Sequence, residues 1–334
     1  MKLFVFFFGF LAFLVTLLII PYFIRFLTKI GLIVKDQNKE SKSLIPISGG
    51  MPVLIGIVIG MMGFIFLRTF FPESSIGLVL DNRNLNLLFA SLISILLITI
   101  IGFFDDLLVN KTNDNAIGLN RWQKPLLTII AAVPLMVVKA GQSTMLLPFF
   151  GRIDLGWIYA LVFVPIGVIG ASNMVNMLAG YNGLESGLGL IYFGSLGLFA
   201  YVNKSYMGAL IALIIFCALL AFYFYNKFPA KIFPGNSLTY LLGGGLACVA
   251  IIGDIEKAAL IISIPFILEF VLKLRGGFKK QSYGEFKDGK LRSLYDKIYS
   301  IPHFFTRTGR FSERKLVYCI YLIEIIFAAL IWVI

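Results

Sequence analysis

Residues 3–24 of the chain read LFVFFFGFLAFLVTLLIIPYFI, a stretch without a single charged side chain. A helix of roughly 20 apolar residues is long enough to cross the hydrocarbon core of a membrane, which is about 30 Å thick. A cleaved signal peptide is the alternative. Its apolar segment would be shorter, however, and its cleavage site would need small residues where this chain has Pro21 and Tyr22. The stretch therefore predicts a retained membrane-spanning helix.

The rest of the chain has the composition of a membrane protein. Of its 334 residues, 59% are hydrophobic and 14% are charged, whereas about a quarter of the residues in a soluble domain are charged. Nine further apolar runs follow, at residues 46–67, 87–104, 125–138, 157–170, 188–202, 207–225, 237–252, 258–272 and 316–334. The sequence predicts an all-α polytopic membrane protein with about ten transmembrane helices, folded as one domain over residues 1–334.

Lysine and arginine residues are distributed unevenly between the predicted loops. When the loops are assigned alternately to two sides, most of the 29 basic residues fall on the side of the first loop. Twelve of them lie in one long polar segment at about 273–315. Basic loops stay in the cytoplasm, so we expect this segment to be cytoplasmic and both termini to lie on the opposite side. The basic face suits anionic membrane lipids as partners. We expect no nucleic-acid partner, and a homodimer stays open as the oligomeric state.

Polar residues gather in four clusters at the predicted cytoplasmic ends of the helices. Ionisable groups at a membrane boundary are costly, so they indicate a function. A single aspartate pair, such as Asp105 and Asp106, is also common at a solvated helix end, but four clusters on one face favour a site. The clusters are KDQNKESKSLIPISGG (35–50), IGFFDDLLVN (101–110) with NRWQKP (120–125), NMVNMLAGYNGLESG (173–187) and NKFPAKIFPGNSLTYLLGGG (226–245).

The residue types in these clusters suit a divalent cation and a phosphorylated substrate. Carboxylate and carboxamide oxygens are hard ligands that select Mg²⁺ or Mn²⁺, and neighbouring lysines attract an anion. Phosphoryl transfer depends mainly on positioning and charge neutralisation, which these groups supply. A transporter is the rival interpretation, but its polar groups should lie near the middle of the membrane rather than at one set of helix ends.

Taken in order, the motifs DQNK…IPISGG, GFFDDLLVN, NMVNMLAGYNGLESG and KFPAKIFPGNSLTYLLGG resemble those of the polyprenyl-phosphate N-acetylhexosamine-1-phosphate transferases. The resemblance runs from about residue 35 to the last helix, and it favours the dolichyl-phosphate N-acetylglucosamine-phosphotransferase branch of eukaryotes and archaea. Bacterial branches have a histidine-rich motif in the last cytoplasmic loop, whereas His303 is the single histidine of this chain.

This resemblance implies a reaction, a location and an active site at the cytoplasmic face. N-acetylglucosamine 1-phosphate would pass from UDP-N-acetylglucosamine to a polyprenyl (dolichyl) phosphate, and UMP would leave. This is the first membrane step of lipid-linked oligosaccharide synthesis for N-glycosylation. The membrane would be the cell membrane in an archaeon or the endoplasmic reticulum membrane in a eukaryote.

The resemblance also implies roles for individual residues. Asp105, Asp106 and Lys124 would be catalytic and act on the lipid phosphate. Asn176 and Asn236 would hold Mg²⁺, for which Mn²⁺ could substitute. Asn182 would bind the uracil edge and Phe233 would stack on the base. The other predicted substrate-binding residues are Asn173, Gly180, Gly183, Glu185, Lys279 and Lys280.

Two positions depart from the family pattern. The family usually has aspartate where this chain has Asn236, and a carboxamide without charge should bind the metal more weakly unless Asp105 or Asp106 supplies the missing charge. The eukaryotic enzymes have an Arg-His-Arg run that binds the pyrophosphate and sugar, and this chain has Lys279 and Lys280 at roughly matching positions. A lysine binds a phosphate as a point charge, whereas an arginine can form two parallel hydrogen bonds with it. Three alternatives therefore stay open: transfer of another UDP-N-acetylhexosamine, a non-catalytic relative, and an aspartyl-phosphate intermediate in place of direct attack by the lipid phosphate.

Overall fold

The computed structural model describes residues 5–39, 43–71, 81–108, 118–120, 122–147 and 151–333. Helices dominate these residues. They are α1 Val5–Lys29, α2 Gly50–Phe70, α3 Asn82–Leu108, α4 Gln123–Val137, α5 Val164–Met177, α6 Leu184–Val202, α7 Tyr206–Asn226, α8 Gly235–Gly253, α9 Glu256–Ile262, α10 Ile264–Arg275, α11 Ile301–Thr306 and α12 Glu313–Leu330. A π-helical segment, Tyr159–Phe163, leads into α5, and a 3₁₀ turn, Ile331–Val333, follows α12.

Eight of the helical segments in the described residues are long and apolar enough to cross a membrane. The other two predicted spans are shorter. Helix α4 has 15 residues, and the span predicted at 258–272 is divided into α9 and α10 at Ser263. Pro265 lies at the start of α10, where its missing N–H group is tolerated but where it cannot continue α9. A polytopic helical bundle is confirmed, whereas the count of ten spans and the side on which the termini lie stay predictions.

The loops differ from the all-α prediction because their described residues contain three antiparallel two-stranded hairpins. These short strands were missed because runs of three or four residues carry little periodicity. The β5–β6 turn, Asp288-Gly289, has positive φ at both residues, as a tight two-residue hairpin requires. The strand pairs are β1 Ile33–Lys35 with β2 Leu44–Pro46, β3 Thr144–Leu147 with β4 Gly151–Asp154, and β5 Glu285–Lys287 with β6 Lys290–Arg292.

Helix α8 is the centre of the bundle, and nearly all of its residues are buried. Two glycines on neighbouring helices allow backbones to approach its first turn. A Cβ atom added at Gly102 of α3 would lie 2.4 Å from the carbonyl oxygen of Asn236, and one at Gly50 of α2 would lie 2.3 Å from the carbonyl carbon of Ser237. Larger residues at either glycine would push α8 away. The start of α8 is therefore fixed by direct backbone contact with α2 and α3.

Successive long helical segments run in alternating directions, with α9 and α10 together forming one segment, so their polar ends meet at one end of the bundle. We call this the polar end. It contains the ends of α1, α3, α5, α7 and α10 and the beginnings of α2, α4, α6, α8 and α12, as contacts between these termini show. All four polar clusters of the sequence meet there.

The segment between α10 and α12 folds against the polar end around buried polar groups. Lys273 Nζ donates to Ser282 Oγ (2.6 Å), and Glu269 accepts hydrogen bonds from Ser300 Oγ (2.6 Å) and the Ile301 amide (2.7 Å). Tyr181 of the 173–187 cluster donates its hydroxyl to the Ser282 carbonyl (2.7 Å). This segment is therefore an ordered part of the polar end.

His303, the single histidine of the chain, connects α11 to two other parts of this segment. His303 Nδ1 accepts from the Tyr299 amide (3.2 Å), so the proton must reside on Nε2, which lies 3.0 Å from the Gln281 carbonyl oxygen. Burial lowers the pKa of His303, and the nearby Lys273 charge lowers it further. The imidazole is neutral and structural, which agrees with the absence of a histidine-rich motif.

Candidate active site

The Asp106 carboxylate joins the beginnings of two helices to the end of a third. Its Oδ1 accepts from the Asn236 amide (2.7 Å), and its Oδ2 accepts from the Ser237 amide (3.2 Å) and the Ser48 hydroxyl (2.6 Å). A carboxylate is stabilised at a helix N-terminus by free N–H groups and by the helix dipole. Gly235 has φ +68°, and a Cβ there would lie 2.4 Å from Asp106 Oδ2. Glycine is therefore required where α8 receives this side chain.

Asp105, the preceding residue, points elsewhere because adjacent side chains on a helix lie about 100° apart. Its Oδ2 lies 2.7 Å from Lys124 Nζ at the start of α4, and its Oδ1 accepts from the Leu119 amide (2.6 Å). Asp105 is fully buried, whereas the Lys124 side chain is 22% exposed. The pair thus presents an ammonium group that an incoming anion can reach, backed by a fixed carboxylate.

The two asparagines predicted to bind metal lie on adjacent helix ends. Thr239 donates its hydroxyl to Asn176 Oδ1 (2.9 Å) and lies 3.3 Å from the Asn236 carbonyl oxygen, so the end of α5 is linked to the first turn of α8. Both asparagines are half-buried. Among the described residues, no group of three or more acidic, cysteine or histidine side chains could hold a metal.

This donor set fits Mg²⁺ bound together with a phosphorylated substrate. Magnesium usually takes one or two protein oxygen ligands and completes its shell with phosphate and water. Asn176 Oδ1 keeps one lone pair beyond the bond from Thr239, and the Asn236 carboxamide is the second hard oxygen donor. Without a charged ligand, affinity for the metal alone should be low.

Asn182 is buried, and every polar group of its side chain has a protein partner. Its Nδ2 donates to Glu313 Oε1 (2.7 Å) and Asp36 Oδ2 (3.2 Å), and its Oδ1 accepts from the Ala230 amide (2.8 Å). Its own backbone amide also donates to Glu313 Oε1 (2.7 Å). The uracil contact predicted for Asn182 stays a prediction, and a base that bonds this amide must share or displace one of these partners.

The glycines beside Asn182 form a turn that is held from several sides. Gly180 is exposed, with φ +108°; its amide donates to Glu185 Oε1 (2.8 Å), and its carbonyl accepts from Asn38 Nδ2 (2.7 Å). Gly183 has φ +83° and precedes α6, and its carbonyl accepts from the Tyr321 hydroxyl. The predicted pocket residues Gly180, Gly183 and Glu185 therefore form one local unit.

The remaining predicted residues are less closely grouped. Asn173 Nδ2 donates to the Ile169 carbonyl (2.8 Å) and lies 3.4 Å from Thr128 Oγ1 of α4. The Phe233 backbone bonds the 46–49 segment, and its ring is half-buried. Lys280 Nζ lies 4.8 Å from the ring centre of Tyr295 within its own segment, and Lys279 is exposed. In the part of the chain that the structure describes, no hydrogen bond or ion pair joins either lysine to the other candidates.

Sequence reasoning missed four residues that organise this end of the bundle: Ser48, Asp36, Glu313 and Tyr321. Two of them stood in quoted motifs, Ser48 in IPISGG and Asp36 in DQNK, without a role. Ser48 has φ +86°, an uncommon conformation for a residue with a side chain. Glu313 opens α12, where an acidic residue is ordinary, so nothing in its sequence context indicated its contact with Asn182.

Comparison with known proteins agrees with this geometry. Residues 88–254, which contain both aspartates and the 173–187 cluster, match the family described as Glycosyl transferase family 4. A Saccharolobus solfataricus protein, named as a candidate UDP-N-acetylglucosamine–dolichyl-phosphate N-acetylglucosaminephosphotransferase, is 33% identical over 94% of both chains. A Sulfolobus acidocaldarius protein with the same name is 32% identical over 96% of this chain and 92% of its own.

A bacterial enzyme is related at a similar level. The phospho-N-acetylmuramoyl-pentapeptide-transferase of Listeria monocytogenes is 31% identical over 80% of this chain and 83% of its own. The names of all three relatives describe transferases of a phosphorylated N-acetylated sugar, and this chain has eight helices long and apolar enough to cross a membrane in its described residues. The chain therefore belongs to glycosyl transferase family 4 and is an integral membrane glycosyl-1-phosphate transferase.

Proposed function

We propose that the protein transfers N-acetylglucosamine 1-phosphate from UDP-N-acetylglucosamine to a dolichyl-type polyprenyl phosphate, as the first membrane step of lipid-linked oligosaccharide synthesis for N-glycosylation. The names of the two archaeal relatives contain both substrates. The observation that carries the proposal is the partly exposed Lys124 side chain, whose ammonium nitrogen lies 2.7 Å from the buried Asp105 carboxylate at the polar end. This ammonium group can bind a lipid phosphate, and two hard oxygen donors, Asn176 and Asn236, lie at the same end of the bundle.

The reacting groups need little activation. A phosphate monoester has a second pKa near 6, so the lipid phosphate is mostly ionised at neutral pH. Its oxygen attacks the β-phosphorus of the UDP-sugar and forms a new P–O bond. The bond from that phosphorus to the bridging oxygen breaks, and the electron pair leaves with UMP. Lys124 binds and orients the attacking phosphate, and Asp105 fixes the position of Lys124.

Asn176 and Asn236 would hold Mg²⁺ at the pyrophosphate. The metal, when bound, neutralises charge on the leaving UMP, and Mn²⁺ offers the same hard-cation chemistry. The protein groups contribute position: Thr239 orients the Asn176 carboxamide, and Asp106 fixes the backbone of Asn236.

The contacts of both aspartates support direct displacement over an aspartyl-phosphate intermediate. A nucleophilic carboxylate needs a free oxygen in line with the phosphorus. Asp106 uses both oxygens to accept three hydrogen bonds, and Asp105 is held by Lys124 and the Leu119 amide. Neither is a free nucleophile.

The distribution of basic residues supports a cytoplasmic site. The polar end contains Lys124 and the basic segment at 273–315, and basic loops are retained in the cytoplasm. Both termini would then lie on the opposite side of the membrane. Transfer of another UDP-N-acetylhexosamine is the second candidate function. It is kept because the chain is also 31% identical to the phospho-N-acetylmuramoyl-pentapeptide-transferase of Listeria monocytogenes.

A panel of sugar donors tests the proposed function. Purified protein is incubated with Mg²⁺, polyprenyl phosphate and UDP-N-acetylglucosamine, UDP-N-acetylgalactosamine or UDP-N-acetylmuramoyl-pentapeptide, each labelled with ³²P at the β-phosphate. We expect label in the lipid extract with UDP-N-acetylglucosamine, with one UMP released per lipid product. Asp105→Asn protein is the control for contaminating activity. Labelling by another donor alone, release of UDP, or no transfer at all would contradict the proposal.

If Asn176 and Asn236 bind Mg²⁺, a negative charge restored at position 236 should strengthen metal binding. Asn236→Asp should lower the Mg²⁺ concentration for half-maximal activity by roughly tenfold, because about 1.4 kcal/mol of added attraction corresponds to a factor of ten. Asn203→Asp, at an exposed asparagine after α6, is the matched control and should change nothing. Activity of the original protein that persists in excess chelator would refute the metal site.

If Asn182 and Phe233 bind the uracil base, substitutions at these two residues should change KM more than kcat. Asn182→Ala and Phe233→Ala should each raise KM for the UDP-sugar about tenfold and lower kcat less, since contacts remote from the phosphorus bind ground and transition states alike. Phe66→Ala, at an exposed phenylalanine on α2, is the control. If both variants keep the original KM, uracil binds elsewhere.

A further inference from the structure

A cavity of about 430 Å³ lies between residues 292–296, at the end of β6, and residues 306–309, at the end of α11. It opens among residues that no predicted catalytic, metal or nucleotide contact includes. Polar side chains dominate its wall. They include Arg292, Ser293, Asp296, Thr306, Arg307 and Thr308.

Two arginines give the cavity its chemical character. Arg292 and Arg307 are exposed at its rim, and among the described residues no carboxylate forms an ion pair with either guanidinium. Asp296 is the single acidic residue in the wall. The surrounding segment, 273–315, has twelve basic and four acidic residues, so its field attracts anions. Arginine forks match the oxygens of a phosphate group in geometry as well as charge.

Two hydroxyl groups of the wall already donate hydrogen bonds to backbone carbonyls, and a third, that of Thr306, has no partner. Ser293 Oγ donates to the Tyr295 carbonyl (2.9 Å), and Thr308 Oγ1 donates to the Phe305 carbonyl (2.7 Å). The Thr306 hydroxyl is buried and has no hydrogen-bond partner. Folded proteins rarely leave such a group unpaired. The two guanidinium groups and the Thr306 hydroxyl are therefore donors of the wall for which the described residues show no acceptor.

The backbone fixes these groups before any ligand binds. The Leu291 amide donates to the Phe311 carbonyl (2.9 Å), and the Ser293 amide donates to the Thr306 carbonyl (3.1 Å), so β6 is tied to both sides of the wall. Gly309 has φ +61°, and a Cβ there would lie 3.5 Å from Arg292 Cγ. The stem of Arg292 thus lies close to Gly309, at the opposite side of the wall.

We propose that this cavity is a binding site for a phosphate group, separate from the candidate active site. The ligand is a phosphomonoester or phosphodiester whose oxygens bind Arg292 and Arg307, and a neighbouring hydroxyl of the ligand can donate to Asp296. Two sources share this chemistry: an anionic lipid head group and a soluble phosphate compound. Leu294 and Phe304 are exposed apolar side chains adjacent in sequence to the wall, and such residues beside arginines suit a lipid head group.

The cavity adjoins one predicted substrate residue. Tyr295 lines it, and the Lys280 ammonium lies 4.8 Å from the centre of the Tyr295 ring. The experiment must therefore separate a second site from an extension of the substrate site. A binding measurement without acceptor lipid does so, because it requires no turnover and stands whether or not the proposed reaction is correct.

The test compares two charge-matched double variants of the full-length protein. Arg292→Gln/Arg307→Gln removes the proposed ligands. Lys287→Gln/Lys290→Gln removes the same charge from the exposed β5–β6 hairpin, outside the cavity. In one arm, calorimetry measures binding of inorganic phosphate. In the other, native mass spectrometry counts phosphatidylglycerol retained by the protein against phosphatidylcholine. Arg292→Lys/Arg307→Lys keeps the charge and serves if the glutamine variant is unstable.

In one of the two arms, we expect the affinity of Arg292→Gln/Arg307→Gln for the ligand to fall at least fivefold. The affinity of Lys287→Gln/Lys290→Gln should stay unchanged. Transferase activity of the arginine variant at saturating substrates should stay within twofold of the original protein. Loss in the lipid arm identifies a head group, and loss in the phosphate arm identifies a soluble compound. Binding that is equal in all variants in both arms would overturn the proposal. So would loss of activity in parallel with binding, since the cavity would then belong to the substrate site.

Discussion

A buried carboxylate at the start of the central helix is the interaction on which this polar end depends. Asp106 accepts hydrogen bonds from the first amides of α8 and from the Ser48 hydroxyl ahead of α2. Removing an ion from water costs several kcal/mol, and only complete hydrogen bonding and favourable charge offset that cost. The free N–H groups and the dipole of α8 supply both. In return, the carboxylate satisfies amides that would otherwise be buried without partners, so α2, α3 and α8 are tied together.

The positions of the two predicted metal ligands are linked to this anchor. Gly102 lies one helical turn before Asp106 on the same face of α3 and allows contact with the Asn236 backbone. Asn236 is thereby placed next to Asn176 through Thr239. Asp105, one residue along, is turned away towards Lys124. Two adjacent carboxylates thus have different contacts: Asp106 holds the start of α8, and Asp105 holds Lys124, for which binding of the lipid phosphate is proposed.

A second set of contacts holds the turn at 180–183, where the nucleotide is predicted to bind. The last helix, α12, contacts the 180–183 turn twice, through Glu313 on Asn182 and Tyr321 on Gly183. Asp36 and Ala230 complete the ring around the Asn182 amide. The predicted pocket is therefore assembled from the first loop, the 173–187 cluster, the loop after α7 and the last helix, and a change in any of them can alter nucleotide binding.

The sequence predicted the features that depend on local composition. Each of the ten predicted apolar runs coincides with helix in the described residues, eight of them with a helix long enough to cross a membrane, because burial in lipid requires continuous apolar residues. The polar clusters located the end of the bundle that contains the candidate site. Features that depend on pairing were not predictable. Ser48 meets Asp106 from 58 positions away, and Asp36 meets Asn182 from 146 positions away. No local pattern encodes such partners. The same limit applies to Asn182, for which the family resemblance implies a uracil contact, whereas the fold supplies a protein partner for each polar group of its side chain.

The division of tasks between the two aspartates is tested most directly by comparing Asp105→Asn and Asp106→Asn for thermal stability, UDP binding and turnover. In Asp106→Asn, the side-chain NH₂ group would face one of the amide or hydroxyl donors that now bond the carboxylate. We expect this contact to lower the free energy of unfolding by roughly 2–4 kcal/mol. UDP binding and turnover should fall as well. An asparagine at 105 should leave stability and UDP binding near the original values and depress kcat. The account is contradicted if Asp106→Asn keeps full stability, or if Asp105→Asn retains full turnover.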